Sequence, residues 1–193
     1  MLHSEHDEIK LSDEEIIALS KGNEQEALKL LIGRYTSSLF NFTARLSNRN
    51  DAPDIVQDVF IKTWKNLRNF DPTRASFKTW IFTIARNTTT DFLRKKRSLL
   101  FSDIQTDDEN INSFAENIPT DDLLPDLALE KLEDAQFLND TLDKLRLDYK
   151  EVLILHYQEE MTFEEIGKVL GKSLNTVKSQ HRRALIELRK MLV

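Results

Sequence analysis

Between Pro72 and Pro119, and again between Pro125 and Gly167, the sequence contains neither glycine nor proline, and all 193 residues include only four of each. A sheet-rich fold needs both residues at its many turns, so their scarcity points to helices. Apolar residues recur at helical spacing through the same stretches. Leu28, Leu31, Ile32, Tyr35, Leu39 and Phe42 mark a helix over about 24–46, and Ile55, Val56, Val59, Phe60, Trp64 and Leu67 form the stripe of the next. Phe77, Trp80, Ile81, Ile84 and Phe92 serve a third helix over about 76–96. A capping box, Ser12 to Glu15, opens a short helix before these, while Asp51 is placed to cap the second long helix and Pro53 falls in its first turn. Asp71-Pro72 marks a loop. Further helices are expected at about 129–145, 148–158, 162–170 and 174–191. The expected fold is all-α: two small helical domains joined by an acidic linker, the C-terminal one a helix-turn-helix.

Charge divides the chain in the same places. The net charge of −6 is unpromising for a nucleic-acid binder only while it is taken as a sum. From Arg74 to Ser98 seven bases stand against Asp91, and from Lys172 to Val193 six stand against Glu187. Residues 101–130 carry nine acids and no base. Phosphate is attracted by a local positive face, whatever the total. Each basic run taken alone is equally readable as a solvated helix face, but two of them flanking an acidic stretch favour binding. In 101–128 the periodicity is lost and Pro119 and Pro125 interrupt any helix, which defines a linker between a domain at 1–100 and one at 129–193. Extended, it would span at most ~90 Å, and as a coil ~30 Å.

The C-terminal domain carries the most specific local pattern. Thr162-Phe163-Glu164-Glu165 is a second capping box, Ile166, Val169 and Leu170 give the helix an apolar face, and Gly171 ends it. Ser173 can cap the longer helix that follows, whose inner stripe is Val177, Ala184, Leu185 and Leu188. A short helix, a glycine turn and a basic second helix form the helix-turn-helix plan. The first turns of the second helix offer donors to a major groove through Ser173, Asn175, Thr176, Lys178, Ser179 and Gln180, and Arg182 and Arg183 are placed for phosphates. His181 falls on the apolar side and reads as a packed imidazole.

The segment MTFEEIGKVLGKSLNTVKSQHRRALIELRKML closely resembles the fourth-domain helix-turn-helix of extracytoplasmic-function sigma factors, the factors that carry bacterial RNA polymerase to promoters. Independently, DAPDIVQDVFIKTWKNL resembles the segment by which these factors grip the clamp helices of core polymerase, and FKTWIFTIARNTTTDFLRKKR the helix that handles the −10 element. The resemblance implies that Asp54, Gln57 and Asp58 form a polar face toward a basic coiled coil of polymerase, with Phe60 and Trp64 packed behind or beside it. It assigns Asn87, Asp91, Arg94, Lys95 and Lys96, with the flanking bases Arg74 and Lys78, to the opened −10 strand. The donors of the C-terminal helix fall to the −35 duplex. Trp80 could stack on a base, but a tryptophan on an apolar stripe reads first as core. Gln180 stands where an arginine is frequent in the family. Glutamine pairs with adenine where arginine favours guanine, so an altered −35 preference is implied. The acidic linker is either a spacer or a strand that lies in a basic nucleic-acid channel. The family also implies an anti-sigma factor as a partner beside core RNA polymerase and promoter DNA.

Two rival readings are open to the sequence. A conventional helix-turn-helix regulator, binding an operator without polymerase, accounts for the C-terminal half and leaves residues 51–97 without a purpose. An enzyme is disfavoured: His3, His6, His156 and His181 are scattered, and no metal-binding, phosphate-loop or nucleophile-elbow pattern accompanies them, so no cofactor or metal is expected. The chain has no cysteine, its first ten residues lack a secretory pattern, and no apolar run reaches membrane-spanning length, so a cytoplasmic protein without membrane insertion is expected.

Overall fold

The computed structural model describes residues 11–19, 24–103 and 141–191, and among these every regular element is helical. In chain order they are α1 (Asp13–Leu19), α2 (Glu24–Leu46), α3 (Ala52–Asn66), α4 (Phe77–Asp103), α5 (Leu147–Leu153, widening into a π-helical turn at Ile154–Gln158), α6 (Phe163–Leu170) and α7 (Leu174–Met191).

Local chemistry sets most of these boundaries. Ser12 Oγ accepts from the Glu15 amide at 3.2 Å while the Glu15 carboxylate accepts from the Ser12 amide at 2.8 Å, so the first capping box is made as expected. The Glu14 carboxylate then accepts from the Phe77 amide at 3.0 Å, so α1 satisfies one of the free donors at the start of α4. Asp13 holds both Arg34 and the Tyr35 hydroxyl of α2. Burial and these acids push the Tyr35 hydroxyl well above its ordinary range. Asp51 does not cap α3 through its side chain. Its carboxylate is engaged instead by Asn48 Nδ2 and Lys96 Nζ, each at 2.7 Å.

The N-terminal core follows the helical periods with one shift of phase. Leu31, Leu39 and Phe42 of α2, Ile55 and Val59 of α3, and Phe77, Ile81, Phe82 and Ala85 of α4 are fully buried. On α3 the stripe runs through Ala52, Ile55, Val56, Val59 and Thr63. Trp64 sits one position, about 100°, beyond that line and is 49 % exposed, so it does not belong to the inner stripe on which the sequence placed it. Phe60 packs partly against the core. Trp80 is half-buried beside Phe70 (5.3 Å between rings) and Phe77 (5.7 Å), in agreement with a packing role. Helix α4 runs past Lys96 to Asp103, into residues assigned above to the linker. The rest of the linker, and residues 129–140 of the helix expected before α5, lie outside the described residues.

The C-terminal half closes on two left-handed residues. The Thr162 capping box is complete, with Thr162 Oγ1 accepting from the Glu165 amide at 3.3 Å and Glu165 Oε2 accepting from the Thr162 amide at 2.9 Å. Gly171 ends α6 at φ 63°, and the Lys172 amide returns to the Gly167 carbonyl at 2.9 Å. A Cβ at Gly167 would meet the Lys172 carbonyl oxygen at 2.9 Å, so this turn needs glycine at both places. Between α5 and α6, Glu160 takes φ 54° without being glycine.

The halves are not separate bodies. Val152, Ile154, Leu155, Ile166, Val169 and Val177 belong to the same apolar cluster as Leu31, Phe42 and Ile81, with α6 lying against α4. Leu145, Tyr149, Leu153 and Ala184 form a smaller cluster that joins α5 to α7.

The two left-handed residues give substitutions of opposite sign. Glu160→Gly should raise stability and Gly171→Ala should lower it, each by about 1 kcal/mol, because a Cβ is disfavoured at positive φ. Urea unfolding checks this, and a shift of the same sign for both would contradict it.

Candidate nucleic-acid interface

The outer face of α3 collects what the sequence placed there, and adds a residue. Asp54, Gln57 and Asp58 are exposed, and Ile61 (40 % exposed) and Trp64 (49 %) continue the same face at helical spacing. Phe60 lies to its inner side, partly buried. The result is a face that is acidic at its N-terminal end and apolar at its C-terminal end. Ile61 was missed because an isoleucine in a helix reads as core, and only the inward turn of Thr63 shows that it points out.

The residues expected at the −10 strand, all but Arg74 on α4, fall into two groups. Asn87, Asp91, Arg94 and Lys95 are exposed, Asp91 standing four residues after Asn87 and three and four before Arg94 and Lys95, so they share one outward face. The Arg94–Asp91 ion pair at 3.1 Å lies in water and holds little. The second group is tied to other parts of the protein. Lys78 Nζ donates to the Glu159 carbonyl at 2.5 Å and lies 3.6 Å from its carboxylate, and Lys96 is held by Asp51. Burial holds the Glu159 carboxyl above the usual carboxylate range, with Lys78 acting in the opposite direction. Arg74 is exposed, but its carbonyl accepts from Lys168 of α6 at 2.8 Å.

Arg86 forms the strongest link of this seam. Its Nε donates to Glu151 Oε1 at 3.0 Å, and the Glu151 side chain is only 3 % exposed. An acid so buried is tolerable only with a partner of opposite charge. Charge counting singled out Arg86 as one base among seven, and nothing local revealed that it would pair with a residue 65 positions away.

On α7, Asn175, Thr176, Lys178, Arg182 and Arg183 are exposed, and Ser179 and Gln180 are half-buried. Ser173 caps the helix, its Oγ accepting from the Thr176 amide at 3.2 Å. The groove of about 380 Å³ beside this helix is lined by Gln180 and Asp148 and walled on one side by Asn175, Thr176, Ser179 and Arg183, and on the other by Arg146 and Tyr149 at the start of α5. Those two residues went unnoticed in the sequence because they precede the helix-turn-helix. His181 is packed as expected: its Nε2 lies 3.0 Å from the Tyr157 hydroxyl and its ring meets His156 and Phe163, each at 5.1 Å. Burial, aided by the neighbouring His156, holds it below its ordinary value of 6.5.

Residues 31–99 match the family model for Sigma-70 region 2 and residues 138–188 that for Sigma-70, region 4. The chain is 32 % identical over 173 residues to the ECF RNA polymerase sigma factor SigW of Bacillus subtilis, covering 89 % of this chain and 92 % of that protein. It is 28 % identical to the ECF RNA polymerase sigma-E factor of Escherichia coli K12, with 91 % of each covered. Among solved structures, it is similar to the sigma factor RpoE in complex with the anti-sigma factor NepR from Bartonella quintana (TM-score 0.71, 26 % identity, 85 % of this chain and 95 % of that one). It is also similar to CnrH in complex with the cytosolic domain of CnrY (TM-score 0.66, 25 % identity, 93 % and 96 %). Fold and matches thus agree on a transcription-initiation factor built from two helical regions. The chain belongs to the extracytoplasmic-function RNA polymerase sigma factors, which direct polymerase to promoters.

The seam can be probed directly. Arg86→Ala should cost about 2 kcal/mol in urea unfolding by stranding the Glu151 carboxylate, toward the low end for a buried pair because Arg86 keeps some contact with water. Arg86→Lys should recover part of the loss. Equal stability of Arg86→Ala and the parent would exclude a stabilising seam. For His181 the sign is fixed by its lowered pKa. The folded state disfavours the imidazolium, so this contribution is present above about pH 6.5 and is lost as pH falls through the lowered value. The C2–H resonance of His181 should therefore titrate below 6.5, and a midpoint above that value would contradict the packing.

Proposed function

We propose that the outer face of α3 docks on core RNA polymerase, that α4 handles the −10 strand, and that α7 enters the −35 major groove. Asp54, Gln57 and Asp58 suit a basic partner, and Ile61 and Trp64 beside them supply the apolar contact that interface centres need. Asn87, Asp91, Arg94 and Lys95 form the ready part of the −10 surface. Arg74, Lys78 and Lys96 join it once Lys78 and Lys96 exchange Glu159 and Asp51 for phosphate. On α7, Asn175, Thr176, Lys178 and Ser179 face bases, Arg182 and Arg183 face phosphates, and Ser173 and Gln180 lie on the flank of the same helix.

The observation that carries this reading is the coexistence, on one chain, of an acidic and apolar helix face with two basic helix faces. A conventional operator-binding regulator uses only the last. In the structure the halves are packed together, so binding at two promoter elements requires them to part, with 104–140 as the connection. The parting breaks the Lys78–Glu159 and Arg86–Glu151 pairs and returns those bases to solvent. The solved relative RpoE, seen in complex with the anti-sigma factor NepR, supports a partner of that class for this chain. Among the described residues no helix is long and apolar enough to cross a membrane. Action in the cytoplasm, beside polymerase, fits this, and the chemistry of transcription then belongs to polymerase alone.

Run-off transcription with core polymerase on a pool of promoter fragments tests the reading. New transcripts should appear with this protein and fall by at least ~10-fold when Asp54 and Asp58 are both replaced by alanine, since a few interface residues carry most of the binding energy. Tight duplex binding by the protein alone, with no transcripts, would establish the conventional regulator instead.

A further inference from the structure

Gln180 is held at both ends of its amide. Lys172 Nζ, in the turn before α7, donates to Gln180 Oε1 at 3.2 Å, and Gln180 Nε2 donates to Asp148 Oδ2 at 3.0 Å. Only this orientation of the amide suits its neighbours, because a flipped group would set its oxygen against a carboxylate and its NH2 against an ammonium. Both bonds are charge-assisted, which makes them stronger than bonds between neutral groups. Asp148 is itself held by Arg146, whose Nε and Nη2 each approach the carboxylate at 3.2 Å, and Arg146 lies over the Tyr149 ring at 5.1 Å.

The position of Gln180 on α7 agrees with this. Val177 and Ala184 are the fully buried residues of the helix, and their mean direction defines its inward side. At about 100° per residue, Gln180 points roughly 50° from that direction, toward the seam with α5, whereas Asn175, Ser179 and Arg182 point roughly 150–170° away from it. A glutamine that read adenine would have to present both ends of its amide to one base edge. It would then compete with an ammonium and a carboxylate already in place.

We propose that Gln180 is a positioning residue of the −35 reader: through Lys172 and Asp148 it ties the helix-turn-helix turn to the start of α5 and sets the angle of α7. The −35 bases are then discriminated by Asn175 and Ser179, not by Gln180. The inference rests on the assignment of α7 to the −35 element and says which of its side chains read sequence. It also explains how the turn tolerates a glutamine where an arginine is frequent in the resembled family. A neutral amide can accept from Lys172 and donate to Asp148 at once, which a guanidinium, having no acceptor, cannot do.

The test is transcription by the reconstituted holoenzyme from a promoter library randomised through the −35 element, with transcripts sequenced to give a preference at each position. Gln180→Ala should lower output on the order of 2- to 10-fold across all −35 sequences, the effect of losing one or two hydrogen bonds, and leave the preferred bases unchanged. Gln180→Glu should be worse, because it sets two carboxylates against each other. Combining Gln180→Glu with Asp148→Asn restores one donor facing one acceptor and keeps the charge, and should bring output back to within about 2-fold of the parent with the same preferred bases. Asn175→Ala or Ser179→Ala should change the preferred base at one position.

A changed base preference in Gln180→Ala would overturn the inference and make Gln180 a direct reader. An exchange pair that fails to recover, or a Gln180→Ala protein indistinguishable from the parent, would also overturn it and leave Gln180 with no positioning role. A parent holoenzyme indifferent to the −35 sequence would instead remove the assignment of α7, and the inference with it. The two failures are distinct, since the second is seen before any substitution is made.

Discussion

The constraint on which this structure depends is that α4 is buried from two directions. Phe77, Ile81, Phe82 and Ala85 are fully enclosed, and Trp80 and Ile84 are half-covered, as α2 and α3 pack on one flank and α6 on another. Over the first half of α4 this leaves only a narrow face for solvent, whereas residues 94–98 are exposed all round. The bases distributed around it are therefore sorted: those that fall on the remaining face are presented, and those that fall toward a neighbour must find an acid there. Arg86 and Lys78 meet Glu151 and Glu159, both almost without exposure. The acids on α5 and its following turn are thus as much part of α4's environment as the leucines beside them.

That sorting gives the closed arrangement a particular character. Its apolar contacts are not specific to charge, but its polar seam is made from the same class of residue that binds phosphate. If α4 takes the −10 strand as proposed, phosphate and the acids of α5 compete for the same cations, and the competition is screened by salt on the solvent side and much less in the buried pairs. On that proposal, packing of the halves and binding of nucleic acid are linked equilibria: whatever favours one draws bases from the other. The net charge of −6 conceals this, because the acids that matter are set against individual bases and not spread over the surface.

The C-terminal half shows the same economy at smaller scale. Its helices are short, α5 and α6 among them, and they are held by caps and tight turns instead of long stripes. The π-helical turn at Ile154–Gln158 and the left-handed Glu160 bring Met161 back so that its amide reaches the Leu155 carbonyl at 3.0 Å. This return sets Thr162 in place to cap α6. His156, Phe163 and His181 then fill the space between α5, α6 and α7 with rings, and Gln180 secures the opposite edge of α7 through Asp148.

The sequence by itself determined whatever depends on neighbours a few residues apart. Both capping boxes, the glycine turn at Gly171, the limits of α2, α6 and α7, the helical class of the fold and the basic character of α4 and α7 are set by interactions over three or four positions, and these are legible as spacing. The same holds for most of the candidate site: Asn87, Asp91, Arg94 and Lys95, and the donors of α7, share faces because helical geometry alone puts them there. Tertiary structure decided the rest, since it depends on contacts between residues far apart in the chain. Trp64 and Ile61 turn outward because the packing line of α3 passes through Thr63. Asp51 faces Lys96, 45 positions away, in place of its own helix end. Lys78 is occupied by Glu159 across 81 positions, and Gln180 by Asp148 across 32. A residue's type states what it can bind, and only the fold states whether something in the protein already occupies it.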